Sequence, residues 1–272
     1  MLLFVALTAI VVYFLLLGSM WARQERIVFQ PPRVALGRGF DLAQGLRQVS
    51  YRAEDGTELF GFLVGDETRA ERLLVAFHGN ADLAAHLVPW ARTATQVVPI
   101  AILLPELRGY AGLAGRPSYL GAAQDARAAA AFVTEALGVP IERVAYFGHS
   151  LGSAIATELA AEHHPVALLL QSPFSSARAM ARRMALPGLT LFWPLVSRVH
   201  YDTERRVASL PVPVSVVHGL RDLVVPARMG RAVFEAAAVK GELLLVPRAG
   251  HNDVADRAPE EYWAWFRRAL AV

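Results

Sequence analysis

The chain has 272 residues, 54% of them hydrophobic, a formal charge of +3 and no cysteine. A length of this order suits one large α/β domain whose core stands without disulfides or a structural metal, and the missing cysteine excludes thiol nucleophiles, Cys-ligated zinc, iron–sulfur clusters and cysteine redox chemistry. Basicity is nearly all arginine, with Lys240 the only lysine, and the arginines are scattered; a nucleic-acid surface would show a basic stripe interleaved with aromatics, so no nucleic-acid partner is expected.

Residues Met1 to Leu17 are apolar except Thr8, and Gly18-Ser19-Met20-Trp21 extends the run to roughly the 20 residues that a membrane-crossing helix requires. Residues 1–21 therefore read as a membrane anchor, with Trp21 at the headgroup level. A cleaved signal peptide is the alternative; against it stand the missing basic n-region, the length of the run and the lack of a small-residue cleavage site before Arg23. Arg23, Arg26, Arg33 and Arg38 follow the run, and the positive-inside rule then favours a cytoplasmic catalytic domain. Residues 22–47, with Pro31-Pro32 and Gly37-Arg38-Gly39, read as a linker.

From residue 48 to 272 a catalytic domain is expected. Gln48–Ala53 and Leu59–Val64 flank an Asp55-Gly56 turn and predict an antiparallel hairpin. Continuous apolar runs follow at Leu73–Phe77, Ile100–Leu104, Val144–Phe147, Val166–Leu170, Val214–Val217 and Leu243–Val246, the pattern of parallel strands buried on both faces. Helical segments alternate with them near Leu83–Gln96, Gly121–Leu137, Leu151–His163, Ala227–Val239 and Pro259–Leu270. This alternation predicts a mostly parallel sheet covered by helices on both faces. Residues 173–210 break the rhythm and read as a small lid insertion, rich in apolar side chains from Met180 to Val196.

Gly148-His149-Ser150-Leu151-Gly152 sits between a strand and a helix, the context of a nucleophile elbow. Glycine on each flank avoids Cβ clashes where the chain turns sharply. A serine hydroxyl needs a base, and the base a carboxylate that sets its tautomer. His251, after the last strand, and Asp222, after the strand before it, lie where α/β sheets collect functional groups. Asp253 is the rival acid, read as a cap for the next helix. The backbone N–H groups of Asn80 and Leu151 are the expected oxyanion donors, while His78 reads as a support for its loop. His163-His164 reads as a pair offsetting a helix dipole. No metalloprotease, dinucleotide or phosphate-loop signature is present, and no cofactor is expected.

The motifs His78-Gly79-Asn80-Ala81, Arg108-Gly109-Tyr110, Gly148 to Gly152, Ser172-Pro173-Phe174, His218-Gly219 through Asp222 to Val225-Pro226, and Gly250-His251 resemble the α/β-hydrolase superfamily over about residues 48–270. With the amino-terminal anchor, the chain is similar to the membrane-anchored ABHD-type serine hydrolases. That resemblance implies the α/β-hydrolase fold and an acyl ester or thioester substrate, either a small molecule or a lipid. Glu106 departs from the family pattern, which commonly has Asp there, and Ala111 replaces a glycine. Peptidase or acyltransferase activity on the same fold, or a non-catalytic scaffold role, are the alternatives.

Overall fold

The computed structural model describes residues 1–33, 46–184 and 197–270. Eight strands form one sheet in the order β1-β2-β4-β3-β5-β6-β7-β8. The strands are β1 (Leu46–Arg52), β2 (Glu58–Val64), β3 (Arg72–Phe77), β4 (Ile100–Pro105), β5 (Val144–His149), β6 (Ala167–Gln171), β7 (Pro213–Gly219) and β8 (Val239–Val246). β1 and β2 form the expected hairpin, β2 joins β4 antiparallel, and every later pairing is parallel. Gly56, at φ 85°, supplies the left-handed turn of that hairpin.

The strands explain why the core has two halves. Successive side chains of a strand point to opposite faces, so Leu73, Val75 and Phe77 enter one apolar cluster while Leu74 and Ala76 enter the other. The first cluster lies under α3 (Tyr119–Ala131), α4 (Leu151–Glu162) and α7 (Ala227–Ala236). The second is closed by α2 (Val88–Val97) and α9 (Pro259–Leu270), the latter burying Tyr262, Trp265 and Phe266. Alanine on α2, α3 and α4 lets these helices approach the sheet closely. Short helices α5 (Ala177–Met184) and α6 (Thr203–Val207) lie between β6 and β7, and α8 (Val254–Arg257) follows β8. The apolar lid residues at 185–196 fall outside the described residues.

Two boundaries differ from the sequence pattern. β8 begins at Val239, four residues before the apolar run at Leu243. It is an edge strand with Val239 and Lys240 exposed and the next five residues only half-buried, so polar Lys240 and Glu242 are accommodated and no continuous apolar signal marks the start. More consequential is the amino-terminal helix α1, which spans Leu2–Val28 and so runs seven residues beyond Trp21 into the predicted linker. Ala22, Arg23, Gln24, Glu25 and Arg26 are good helix formers, and the helix ends only ahead of Pro31-Pro32. Phe29, immediately after it, is buried in the first core cluster.

Candidate active site

Ser150 occupies the turn from β5 into α4 with φ 53° and ψ −114°, a left-handed conformation that costs a non-glycine residue about 1–3 kcal/mol. The flanking glycines explain how the turn fits. A Cβ on Gly148 would lie 2.2 Å from the Gly152 carbonyl oxygen, and one on Gly152 would lie 2.3 Å from that of Phe77. Only glycine at both positions lets α4 start hard against β3 and β5. The Ser150 N–H donates to Gln171 O at 2.9 Å, which pins the elbow to β6.

The structure brings Ser150, His251 and Asp222 together although up to 101 positions separate them. His251 Nε2 is 2.9 Å from Ser150 Oγ, and its Nδ1 is 2.6 Å from Asp222 Oδ2. With Nδ1–H donating to the carboxylate, Nε2 presents its lone pair to the hydroxyl. Asp222 has a fully buried side chain and is well supplied with donors. Oδ1 accepts from the Val224 and Val225 N–H groups, and Oδ2 also lies 3.1 Å from His218 Nε2. Burial opposes the charge on Asp222, yet the hydrogen bonds from His218 and His251 hold its carboxyl below the usual carboxylate range.

His251 is fixed through its main chain as well. Its carbonyl accepts from His149 Nε2 and from Ser172 Oγ, each at 3.2 Å. Burial, reinforced by the charge His251 can carry, pushes His149 down to about 4, so that imidazole stays neutral beside the reacting groups. Sequence reasoning assigned no role to His149, Ser172 or His218. Their contacts run to backbone carbonyls and, for His218, to the Asp222 carboxylate four residues on, and motif spacing does not report such bonds.

The rival acid is placed elsewhere. Asp253 Oδ1 accepts from Gly250 N–H at 2.6 Å and Oδ2 pairs with Arg257 at 2.8 Å. It stands at the N-cap of α8 but makes no side-chain cap bond, so it braces the His251 loop rather than capping as expected.

The Asn80 loop passes directly over the elbow, since a Cβ on Gly79 would lie 3.4 Å from Ser150 Cβ. Leu151 heads α4, and first-turn N–H groups have no acceptor within their own helix. His78 supports this loop, as expected. Its Nδ1 donates to Gly79 O at 2.8 Å and Nε2 to Glu106 at 2.9 Å, leaving no lone pair for proton abstraction. Burial opposes charging, but Glu106 and the Gly79 carbonyl hold the His78 imidazole above its usual value. Glu106, fully buried, also accepts from Ala84 N–H and Leu107 N–H. Ala111, which stands where a glycine is usual, adopts φ 52°.

A cavity of about 1010 Å³ opens at Ser150 and His251, lined further by Asn80, Trp90, Phe147 and Trp263. Trp90 stacks on Phe147 with ring centroids 4.6 Å apart, forming an aromatic wall. Among the described residues no group of three or more His, Asp or Glu side chains could hold a metal ion.

A parallel sheet with a serine elbow at one strand end and Asp and His loops at the two following ends defines an α/β hydrolase. No family model matches the chain. It is 33% identical over 251 residues to an uncharacterized protein of Mycobacterium tuberculosis, covering 86% of this chain and 82% of that one. It is also 33% identical over 146 residues to the alpha/beta hydrolase domain-containing protein aho-3 of Caenorhabditis elegans, covering 54% and 42%. Among solved structures, the Pyrococcus furiosus esterase Pf2001 superposes with a TM-score of 0.68 at 17% identity, covering 89% of this chain and all of that one. The chain belongs to the α/β-hydrolase superfamily.

Proposed function

We propose that the protein is a membrane-anchored serine hydrolase that cleaves acyl ester or thioester bonds. Residues 48–272 form the catalytic domain, with 173–210 as its lid, and α1 is the anchor. Ser150 Oγ attacks the carbonyl carbon as its proton passes to His251 Nε2. Asp222 keeps the imidazole in the required tautomer and stabilises the imidazolium. The Asn80 and Leu151 N–H groups receive the developing oxyanion. Collapse of the tetrahedral species expels the alcohol or thiol, protonated by His251, and leaves an acyl group on Ser150. Water activated by the same histidine then releases the acid.

The observation that carries this reading is the continuous chain Ser150 Oγ, His251 Nε2, His251 Nδ1 and Asp222 Oδ2, with links of 2.9 and 2.6 Å, at the floor of an aromatic-walled cavity. Its apolar wall suits an acyl group. Relatives and fold neighbours that carry hydrolase or esterase names support the chemistry. Membrane attachment draws support from α1, which is long and apolar enough to cross a bilayer, and the arginines after it favour a cytoplasmic domain. Ser150→Ala is expected to abolish both hydrolysis of a short p-nitrophenyl ester and labelling by a fluorophosphonate probe. Retention of both activities would remove Ser150 from the reaction.

A further inference from the structure

The end of α1 is bolted to the catalytic domain rather than tethered to it. Leu17 and Gln24 are buried, and Gln24 Oε1 accepts from Arg198 N–H at 2.8 Å. The Arg198 guanidinium lies 5.1 Å from the Trp21 ring centroid and pairs with Glu25 at 3.6 Å. Past the helix, Gln30 N–H donates to Asn80 Oδ1 at 2.8 Å. The contacts begin at Leu17, so the exposed apolar part of α1 leads straight into a segment fixed on the domain. A membrane helix with no slack behind it holds the domain close against the membrane surface.

The 220–224 loop, which contributes Val224 to the cavity lining, has the composition such contact requires. Val224 lines the cavity together with Asn80, and Leu220, Leu223 and Val224 are 47%, 85% and 54% exposed. The Leu223 carbonyl accepts from Arg183 Nη2 at 2.9 Å, which ties this loop to α5. Beside it, a cleft of about 470 Å³ is lined by Arg182, Arg183 and Arg228, and among the described residues none of the three is paired with a carboxylate. Exposed apolar side chains beside a cluster of arginines that have no carboxylate partner among the described residues match the layered chemistry of an anionic bilayer, acyl chains beneath phosphates.

We infer that the 220–224 loop and the neighbouring arginines form a second membrane contact, seating the cavity mouth on an anionic lipid surface. This rests on α1 being a membrane anchor. Two points of attachment, α1 and the 220–224 loop whose Val224 lines the cavity, fix the opening against the lipid, where an acyl chain enters without crossing water.

The absence of cysteine makes a direct test simple. Single cysteines at Ile10, Leu223 and Glu142, the last exposed at the opposite end of the sheet, are labelled with an environment-sensitive fluorophore in the full chain. The chain is then placed in vesicles of phosphatidylcholine and phosphatidylserine that carry nitroxide-labelled acyl chains. The inference predicts strong quenching at position 10 and none at 142. A side chain sunk about 5–10 Å into the interface should be quenched, and position 223 should show this. Quenching at 223 should fall when phosphatidylserine is omitted or when Arg182→Glu and Arg228→Glu are combined, with melting by circular dichroism confirming that each variant folds. Quenching at 10 with none at 223 overturns the inference and leaves the anchor standing. No quenching at 10 overturns the anchor itself, and the inference with it. Quenching at 223 indifferent to both lipid charge and the arginine substitutions overturns the assigned anionic partner.

Discussion

At Asp222 the carboxylate has four donors, from His251, His218, Val224 and Val225, whereas Asp253 shares an exposed pair with Arg257. Asp222→Asn turns an amide toward His251 Nδ1 and favours the wrong tautomer. Its kcat on a p-nitrophenyl ester should fall on the order of 10⁴-fold, as measured by steady-state kinetics. Asp253→Asn should change kcat little, because it removes only a brace at the surface. His149 gives a second prediction. Its folded-state pKa of about 4 lies below the ordinary value near 6.5, so in that window the unfolded chain binds the proton that the folded chain refuses. Stability therefore rises with pH from about 4 to about 6.5 and is lost on acidification through that range. His149→Gln keeps a donor for the His251 carbonyl without the titration, and urea midpoints at pH 5 and pH 7 should converge in that variant. Ser150, Asp222 and His251 were legible in the sequence because each follows a recognisable apolar strand. His149 and Ser172 act through bonds to the His251 carbonyl that exist only once the strands are side by side, and His218 acts through bonds within the loop that follows it.

The elements show the same division between what patterning reveals and what it leaves dark. β3, β4, β5, β6 and β7 announce themselves because a strand buried on both faces must be apolar throughout. β8 is an edge, its first two residues are exposed and the next five half-buried, and its first four residues carry no such mark. α1 overran its predicted end because hydropathy detects the lipid-like stretch and is blind to a polar turn that continues the same helix. The elbow glycines were legible, and the structure supplies their magnitude. Gly152→Ala would place a methyl 2.3 and 2.5 Å from the Phe77 and His78 carbonyl oxygens. Both are backbone atoms and cannot turn aside, so α4 must lift from β3. The expected destabilisation is about 1–3 kcal/mol or more, read as a lowered urea midpoint.

Across the whole molecule, Phe29 is the joint between α1 and the α/β core. It is 3% exposed within the first apolar cluster, and the next residue is bonded to Asn80. Phe29→Ala should cost about 3–5 kcal/mol by denaturant unfolding of the full chain in detergent, as expected for truncating a buried aromatic side chain. Ile10→Ala, on the exposed half of the same helix, should leave the unfolding midpoint unchanged.

The bond from Gln30 to Asn80 also settles the range over which the proposed chemistry can act. With Gln30 two residues past the end of α1 and held to the cavity wall, Ser150 keeps one height relative to α1, and under the proposed anchoring that height is measured from the leaflet. Anchored as proposed, such a molecule would process what diffuses laterally within its own membrane, and a cargo displayed on a facing vesicle would stay beyond its grasp.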